Sequence, residues 1–324
     1  MPPDQLIPAD PSQVHRAVLA VLTGLPIADA AYQHQMDPTI LTDAVAVYDQ
    51  AGRAALDRHT SATDWWQVYL HFTDWAGADA TFTTHVLPVL RQAEAAGTLD
   101  GWWYTRKHPC WRLRLRLHPG IGTKLTVGDA FDKLISSGHL QRWWPGIYEP
   151  ETAAFGGEAS MTAAHTLFVT DSREVQRLRQ RDLTLGPREL SVLLCTMMMR
   201  AAKLEWYEQG DVWHRIITAE HRTAVGDVPA EQLNARAQEI RALLLADSDA
   251  LLRSGGPLES VVEWATAFRH AGQTLGQAVQ EGTLDRPLRQ VLSYHVIFHW
   301  NRLGLSTRSQ SVLAWAANTA ILHK

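Results

Sequence analysis

Trp102-Trp103-Tyr104-Thr105-Arg106-Lys107-His108-Pro109-Cys110-Trp111-Arg112-Leu113-Arg114-Leu115-Arg116 sets several cations among large aromatics on one short segment. Side chains alternate along a strand, so Arg112, Arg114 and Arg116 share one face while Trp111, Leu113, Leu115 and Leu117 line the other. The stretch therefore predicts a sheet with a cationic floor and an apolar underside. Guanidiniums in a row repel one another unless an anion or a set of carbonyls answers them, and their forked geometry suits carboxylate and peptide oxygens. Arg106, Arg112, Arg114 and Arg116, with Trp103 and Trp111, are thus candidate substrate-binding residues. The structural alternative is an exposed strand whose arginines pair with acids on neighbouring elements.

Outward from this segment, Trp65 to Phe72 reads as a further strand, and a helix from about Ala78 to Ala96 crosses between the two. A second helix is expected near Thr126 to Ser137, and Gly146 to Gly157 reads as a strand leading into a loop. Beyond Ser160 the apolar periodicity is helical through 160–181, 187–208, 229–252, 257–281, 285–303 and 308–322. The expectation is an α+β fold: a small mixed sheet bearing the Arg-rich strand, packed against a large helical layer. Residues 1–62 read as an N-terminal helical module ahead of a main domain at 63–324. In that module Val14, Val18 and Leu22, then Ile40, Ala44 and Val47, fall at helical spacing, and Asp37-Pro38 suits an N-cap and first turn.

The module loosely resembles a helix-turn-helix. Its residues 11–60, however, hold three Arg, no Lys and five Asp, so the phosphate attraction on which DNA binding depends is missing. The whole chain of 324 residues has a formal charge of -4, so nucleic acid and anionic membrane are not expected as partners. Two cysteines, Cys110 and Cys195, and the lack of an apolar secretory segment argue against a disulfide-built secreted protein. A cytoplasmic location is expected.

Two groups carry chemistry. Tyr148-Glu149-Pro150-Glu151 precedes Phe155-Gly156-Gly157, so two carboxylates lie next to a flexible turn, where Glu151 could accept a proton or hold an arginine. Ser293-Tyr294-His295-Val296-Ile297-Phe298-His299-Trp300-Asn301-Arg302 puts His295, His299 and Arg302 on one helical face, with Ser293, Tyr294 and Asn301 close by in sequence. Such a face can shuttle protons, whereas a core His satisfied by a carbonyl is the plain alternative. Two His at i and i+4 are half a metal site, but no HExxH or paired-Cys set supplies further ligands, so no metal is expected. Dinucleotide turn, phosphate loop, nucleophile elbow and kinase motifs are all missing from the sequence, leaving a cofactor-free reaction or pure binding.

In this order the segments resemble the C-terminal elimination domain of class I lantibiotic dehydratases, and more closely its free-standing relatives among thiopeptide-type bacteriocin biosynthesis proteins. The likeness rests on Trp65 to Phe72, Tyr104-Thr105-Arg106 with Trp111-Arg112-Leu113-Arg114, Tyr148 to Glu151 through Phe155-Gly156-Gly157, Ala164-His165-Thr166-Leu167-Phe168 with Asp171-Ser172, and Phe298 to Gly304. It covers about 63–322. The resemblance implies a cofactor-independent enzyme acting on a ribosomally made precursor peptide, leader and core, with a larger dehydratase subunit as a further partner. Elimination domains remove glutamate from glutamylated Ser or Thr to leave dehydroalanine or dehydrobutyrine. Stand-alone thiopeptide relatives join two dehydroalanines in a formal [4+2] aza-cycloaddition that builds a pyridine and releases the leader.

Carried over residue by residue, the elimination pattern implies that Arg112 and Arg114 hold the departing glutamate, that Glu151 is an acid of the same pocket, and that His299 lies in the catalytic imidazole region. Elimination domains usually carry Arg immediately before the aromatic-Gly-Gly, where this chain has Ala154. That departure favours the cyclase over the glutamate lyase. On this reading His299, His295, Tyr294, Ser293 and Glu151 are the candidate catalytic groups. Arg106, Arg112, Arg114, Arg116, Trp103, Trp111, Asn301 and Arg302 would bind substrate. A non-catalytic peptide-binding partner of a dehydratase remains the third reading.

Overall fold

The computed structural model describes residues 10–118, 123–178, 181, 183–219, 225, 226 and 228–322. It divides into two compact units, Met1–Thr63 and Asp64–Lys324. The first holds α1 (Pro11–Leu22), α2 (Ile27–Gln33) and the start of α3 (Pro38–Asp64). Asp37 caps α3 as expected, its carboxylate accepting the Thr39 amide at 2.7 Å. The core of this unit is smaller than the sequence stripe suggests. Ala17, Val18, Ala30, Ala31 and Leu41 are buried, whereas Leu22, Ile40 and Val47 are exposed, because the small alanines let the helices close and turn Leu41 inward instead of Ile40.

The second unit begins with β1 (Trp65–Phe72), followed by α4 (Ala78–Thr81), a π-helical segment (Phe82–Val86) and α5 (Leu87–Ala95). The wide π turn falls just ahead of Pro88, which has no amide hydrogen to continue an α-helical ladder. A hairpin of β2 (Leu99–Lys107) and β3 (Cys110–Leu117) comes next, then α6 (Thr123–Ser136) and β4 (Leu140–Gly146). The order is β2-β3-β1-β4, two interlocked split β-α-β units. All three pairings are antiparallel, so the α+β expectation holds with an antiparallel sheet in place of a mixed one. β4 lies upstream of the strand expected at Gly146: Trp143 packs inward and Trp144 faces the other side, and Pro145, which cannot donate to a ladder, is accommodated because β4 is an edge strand.

One face of the sheet, with Val68, Leu70, Trp102, Tyr104, Trp111, Leu113 and Leu115, forms a core with Phe82, Leu87, Leu90 and Phe131 from the helices between the strands. The other face carries Arg112, Arg114 and Arg116, as the alternation predicts. Part of it is covered by the helical layer: α7 (Glu158–Leu178), α8 (Pro187–Ala201), α9 (Trp206–Ile217), α10 (Ala230–Leu245), α11 (Ser248–Leu252), α12 (Val262–Gln280), α13 (Leu288–Leu303) and α14 (Thr307–Leu322). The run expected at 187–208 is two helices. Lys203 turns left-handed at φ 68, and Glu205 with Glu208 form a capping box that starts α9. Similarly, 229–252 divides at Ala246, and Asp247 caps α11.

Two contacts fix the layer on the sheet. β2 is an edge strand, and its outward Tyr104 amide donates to the Ser172 hydroxyl at 3.3 Å, while Gln176 donates to the Tyr104 hydroxyl at 2.7 Å. The second contact is at the end of α13, which Gly304 closes in the left-handed region at φ 75, against Arg106. A Cβ there would lie 2.8 Å from the Arg106 guanidinium. Gly304→Ala is therefore expected to cost about 1 kcal/mol or more, read as a lower denaturation midpoint; an unchanged midpoint would refute this.

Candidate functional site

Arg114 lies at the centre of the cationic face. Its Nε donates to Gln67 Oε1 at 2.9 Å and one terminal nitrogen donates to Thr105 Oγ1 at 2.8 Å. The guanidinium lies over Trp103, 4.3 Å from the ring centroid, and 5.4 Å from that of Tyr148. Burial pushes its pKa down to about 10, which leaves it cationic at neutral pH. Gln67 in turn donates to the carbonyl of Ile147 at 3.1 Å and so ties the buried arginine to the start of the 147–157 loop. Within that loop the Ala154 and Phe155 amides both bond to the Glu151 carbonyl, a tight turn that presents the Glu151 side chain outward.

An open groove of about 910 Å³ lies at the end of the β2-β3 hairpin. Thr105, Arg106, Lys107, Arg112 and Arg114 form one wall, Glu151 stands over it, and Phe298, Asn301, Gly304 and Gln310 of the α13–α14 junction form the other. Arg106 is held against Asp79 at 2.6 Å and lies over Trp111, 4.6 Å from the ring centroid. A groove with this mixture of fixed and open cations, amide groups and one carboxylate suits an extended chain rich in carbonyls.

Behind the groove lies a buried polar cluster. Asp171 of α7 accepts from Trp264 Nε1 at 2.8 Å, pairs with His299 Nδ1 at 2.9 Å and accepts from Arg302 Nε at 2.5 Å, and His299 and Arg302 are wholly buried. Burial alone would raise the Asp171 pKa, but the charges and hydrogen bonds of His299 and Arg302 outweigh it and hold the carboxyl at about 2. His295 packs between Phe155 and Phe168, where burial and then Arg302 hold its imidazole down to about 3. His165, which shares a 2.7 Å hydrogen bond with the Tyr148 hydroxyl, is lowered to about 4 by burial, Arg116 and Arg114.

These depressed values have a signed consequence. Between about pH 6.5 and 4 the unfolded chain takes up protons on both imidazoles that the folded chain refuses, so stability is greatest above pH 6.5 and falls as the solution is acidified. Below pH 4 Asp171 adds to the loss as its carboxylate is protonated. His295→Leu is expected to flatten the fall between pH 7 and 4 by on the order of 3 kcal/mol in denaturant titrations, and a slope identical to wild type would refute the assignment.

Residues 65–321 match the family model for the lantibiotic biosynthesis dehydratase C-terminal domain. The chain belongs to that family. This lantibiotic dehydratase C-terminal family member also shares its fold with solved structures. MibB, a tRNA-dependent lantibiotic dehydratase from Microbispora sp. 107891, is 19% identical with a TM-score of 0.58 over 79% of this chain, which spans 28% of MibB. TsrL is 15% identical with a TM-score of 0.54, covering 79% of this chain and 94% of its own. TbtD, a pyridine synthase from thiomuracin biosynthesis, is 15% identical with a TM-score of 0.53, covering 80% and 97% respectively. No curated protein matches the sequence.

In this family member the groove gathers Arg106, Arg112, Arg114, Trp111, Glu151 and Asn301 from the expected set. Trp103 lies beneath Arg114, and Arg116 points over Trp65 on the outer surface. His295, His299 and Arg302 face the buried cluster, Ser293 donates to the Gln290 carbonyl at 2.7 Å, and Tyr294 packs on Phe155 beneath Arg286. Ala154, the departure from the elimination pattern, packs with the cluster around Phe155 and Phe168. The sequence reading overlooked Lys107, Thr105 and Gln310 as lining groups, and Gln67 as the group that holds Arg114. Gln67 was findable, because it shares the strand phase of Tyr69 and lies opposite Arg114. Gln310 was not, since nothing local marks the start of α14 as a groove wall. No helix among the described residues is long and apolar enough to cross a membrane.

Proposed function

We propose that this chain matures a ribosomally made peptide containing dehydroalanine, by a formal [4+2] aza-cycloaddition that builds a pyridine and releases the leader. The observation that carries this reading is the open groove of about 910 Å³, with two well-placed guanidiniums and one carboxylate over it. The chain also spans nearly the whole of TbtD, a pyridine synthase, against 28% of MibB.

In this reading Arg112 and Arg114 hold peptide carbonyls and Asn301 orients an amide. Glu151 moves the proton that turns one backbone amide into its iminol, creating the 2-azadiene. The second dehydroalanine adds across it, and loss of water and of the leader as a carboxamide aromatises the ring. His295, His299 and Arg302 act from behind, fixing α13 so that Phe298 and Asn301 meet the sheet; they are positioning residues, as are Ser293 and Tyr294. Glutamate elimination is the second reading, favoured by Arg112 and Arg114 beside a carboxylate. The Arg106–Asp79 pair and Ala154 leave it fewer cations for a departing glutamate.

Mass spectrometry of a dehydroalanine-containing precursor incubated with the protein separates these readings. A released leader amide together with a pyridine chromophore supports the cyclase. Loss of a glutamate unit from a glutamylated precursor replaces it with the lyase, and binding without any change in mass replaces both with a partner role.

A further inference from the structure

The helical layer covers the rows of the sheet nearest α7 and leaves the others open. Across three strands Arg112, Tyr69 and Trp144 are register partners on the face of Arg114, and the next β1–β4 pair there is His71 and Arg142. Tyr69, Trp144, Arg112 and His71 are half-buried and Arg142 is exposed. The Tyr69 and Trp144 rings stack on one another with centroids 5.1 Å apart and planes 10° from parallel. Arg112 lies over Tyr69 at 5.8 Å and Arg142 over Trp144 at 4.1 Å. The row is thus a four-membered stack with a cation at either end.

This arrangement selects its occupant. The ring faces are already taken, by each other and by the two guanidiniums, so little aromatic face is offered to a nucleobase or another flat ring. A guanidinium held over a ring by cation–π attraction keeps N–H groups turned away from it, and these fork onto carboxylates. Among the described residues no Asp or Glu forms an ion pair with Arg112 or Arg142. Lys107, on the same face of the hairpin, adds a further exposed cation. The stripe is continuous with the groove, since Arg112 and Lys107 line both.

We infer that the uncovered half of the sheet, from Arg112 across Tyr69 and Trp144 to Arg142, docks an acidic segment of the same polypeptide whose reacting part occupies the groove. The inference deepens the proposed function and rests on it for the identity of that polypeptide. Arg142 would engage a carboxylate while Arg112, at the border with the groove, grips the adjoining backbone, so the docked segment carries Asp or Glu at the Arg142 end of an extended chain.

The test uses the full chain and a fluorescein-labelled peptide of alternating Glu and Ala, free of Ser, Thr, Cys and dehydroalanine, followed by fluorescence anisotropy. Wild type is expected to bind it with an affinity that falls as salt is raised. Arg142→Glu should weaken binding by about tenfold or more, Arg142→Gln by less, and Arg142→Lys least of all. Replacing Glu by Gln in the probe should weaken it similarly. Arg142 is exposed, so the variants should keep the wild-type denaturation midpoint, and this is measured alongside. Wild-type affinity in both Arg142→Glu and Arg142→Gln overturns the inference. So does equal binding of the Gln probe, a lack of binding by wild type, or an oligouridylate that binds more tightly than the Glu probe. Turnover is read separately. A protein that binds the Glu probe through Arg142 yet transforms no dehydroalanine peptide would refute the proposed reaction and leave the docking surface standing.

Discussion

Asp171→Ala is expected to destabilise the protein by about 3 to 5 kcal/mol, the largest effect of any single substitution outside the apolar core. Asp171 accepts from Trp264, His299 and Arg302 at once, and its removal leaves a wholly buried guanidinium with no counter-charge. Among the described residues neither terminal nitrogen of Arg302 has a hydrogen-bond partner, so Nε anchors it to the carboxylate, and its guanidinium lies over the Phe168 ring, 4.4 Å from the centroid. The double variant Asp171→Leu with Arg302→Met removes both charges together and should recover much of the loss, since an apolar pair avoids the desolvation cost that the ion pair must offset. Urea midpoints of the two singles and the double check this. Additive losses would mean that the two residues do not act as a pair. If Asp171→Ala alone costs less than 1 kcal/mol, the cluster is not what holds α7 to α13.

The same residues explain where the sequence was legible. The alternation correctly assigned the side chains from Trp111 to Leu117 to their faces of β3, because a period of two admits no other placement once one side is buried. Arg112 and Arg114, expected from the sequence to bind substrate, line the groove. The helical face of His295, His299 and Arg302 was legible too, but its direction was not. Spacing shows that three side chains point the same way; it does not show whether they meet solvent or a partner. The partner is Asp171, 128 residues from His299, on a helix whose own pattern reads as ordinary amphipathic packing.

Arg106 shows a different limit. Strand phase assigns it to the apolar face with Tyr104, opposite Arg112, yet it reaches the groove because the hairpin ends there and Gly304 leaves it room. The end of an element escapes the rule that governs its middle. Likewise Glu151 was visible as an acid before a double glycine, but its position over Arg114 depends on Gln67 and the Ile147 carbonyl, a contact across 80 residues.

Glu151→Gln is expected to lower turnover of a dehydroalanine-containing peptide by about 10²- to 10⁴-fold, the range for losing a general acid-base group. The substitution is well posed because the loop does not depend on the carboxylate. The Ala154 and Phe155 amides bond to the Glu151 backbone carbonyl, Arg286 donates to the Ala153 carbonyl at 3.3 Å, and the Asp285 amide donates to the Gly156 carbonyl at 3.0 Å. The loop should keep its shape and the variant its denaturation midpoint. A glutamine can still donate and accept hydrogen bonds, so peptide affinity should change little while the rate falls, which separates proton transfer from binding. Arg112→Gln is expected to show the opposite split, with KM raised and kcat less affected, because its guanidinium grips the chain and moves no proton. If Glu151→Gln turns over at the wild-type rate, the proton must move elsewhere. Tyr148 with His165, hydrogen-bonded at 2.7 Å beside Arg114, would then be the next pair to replace.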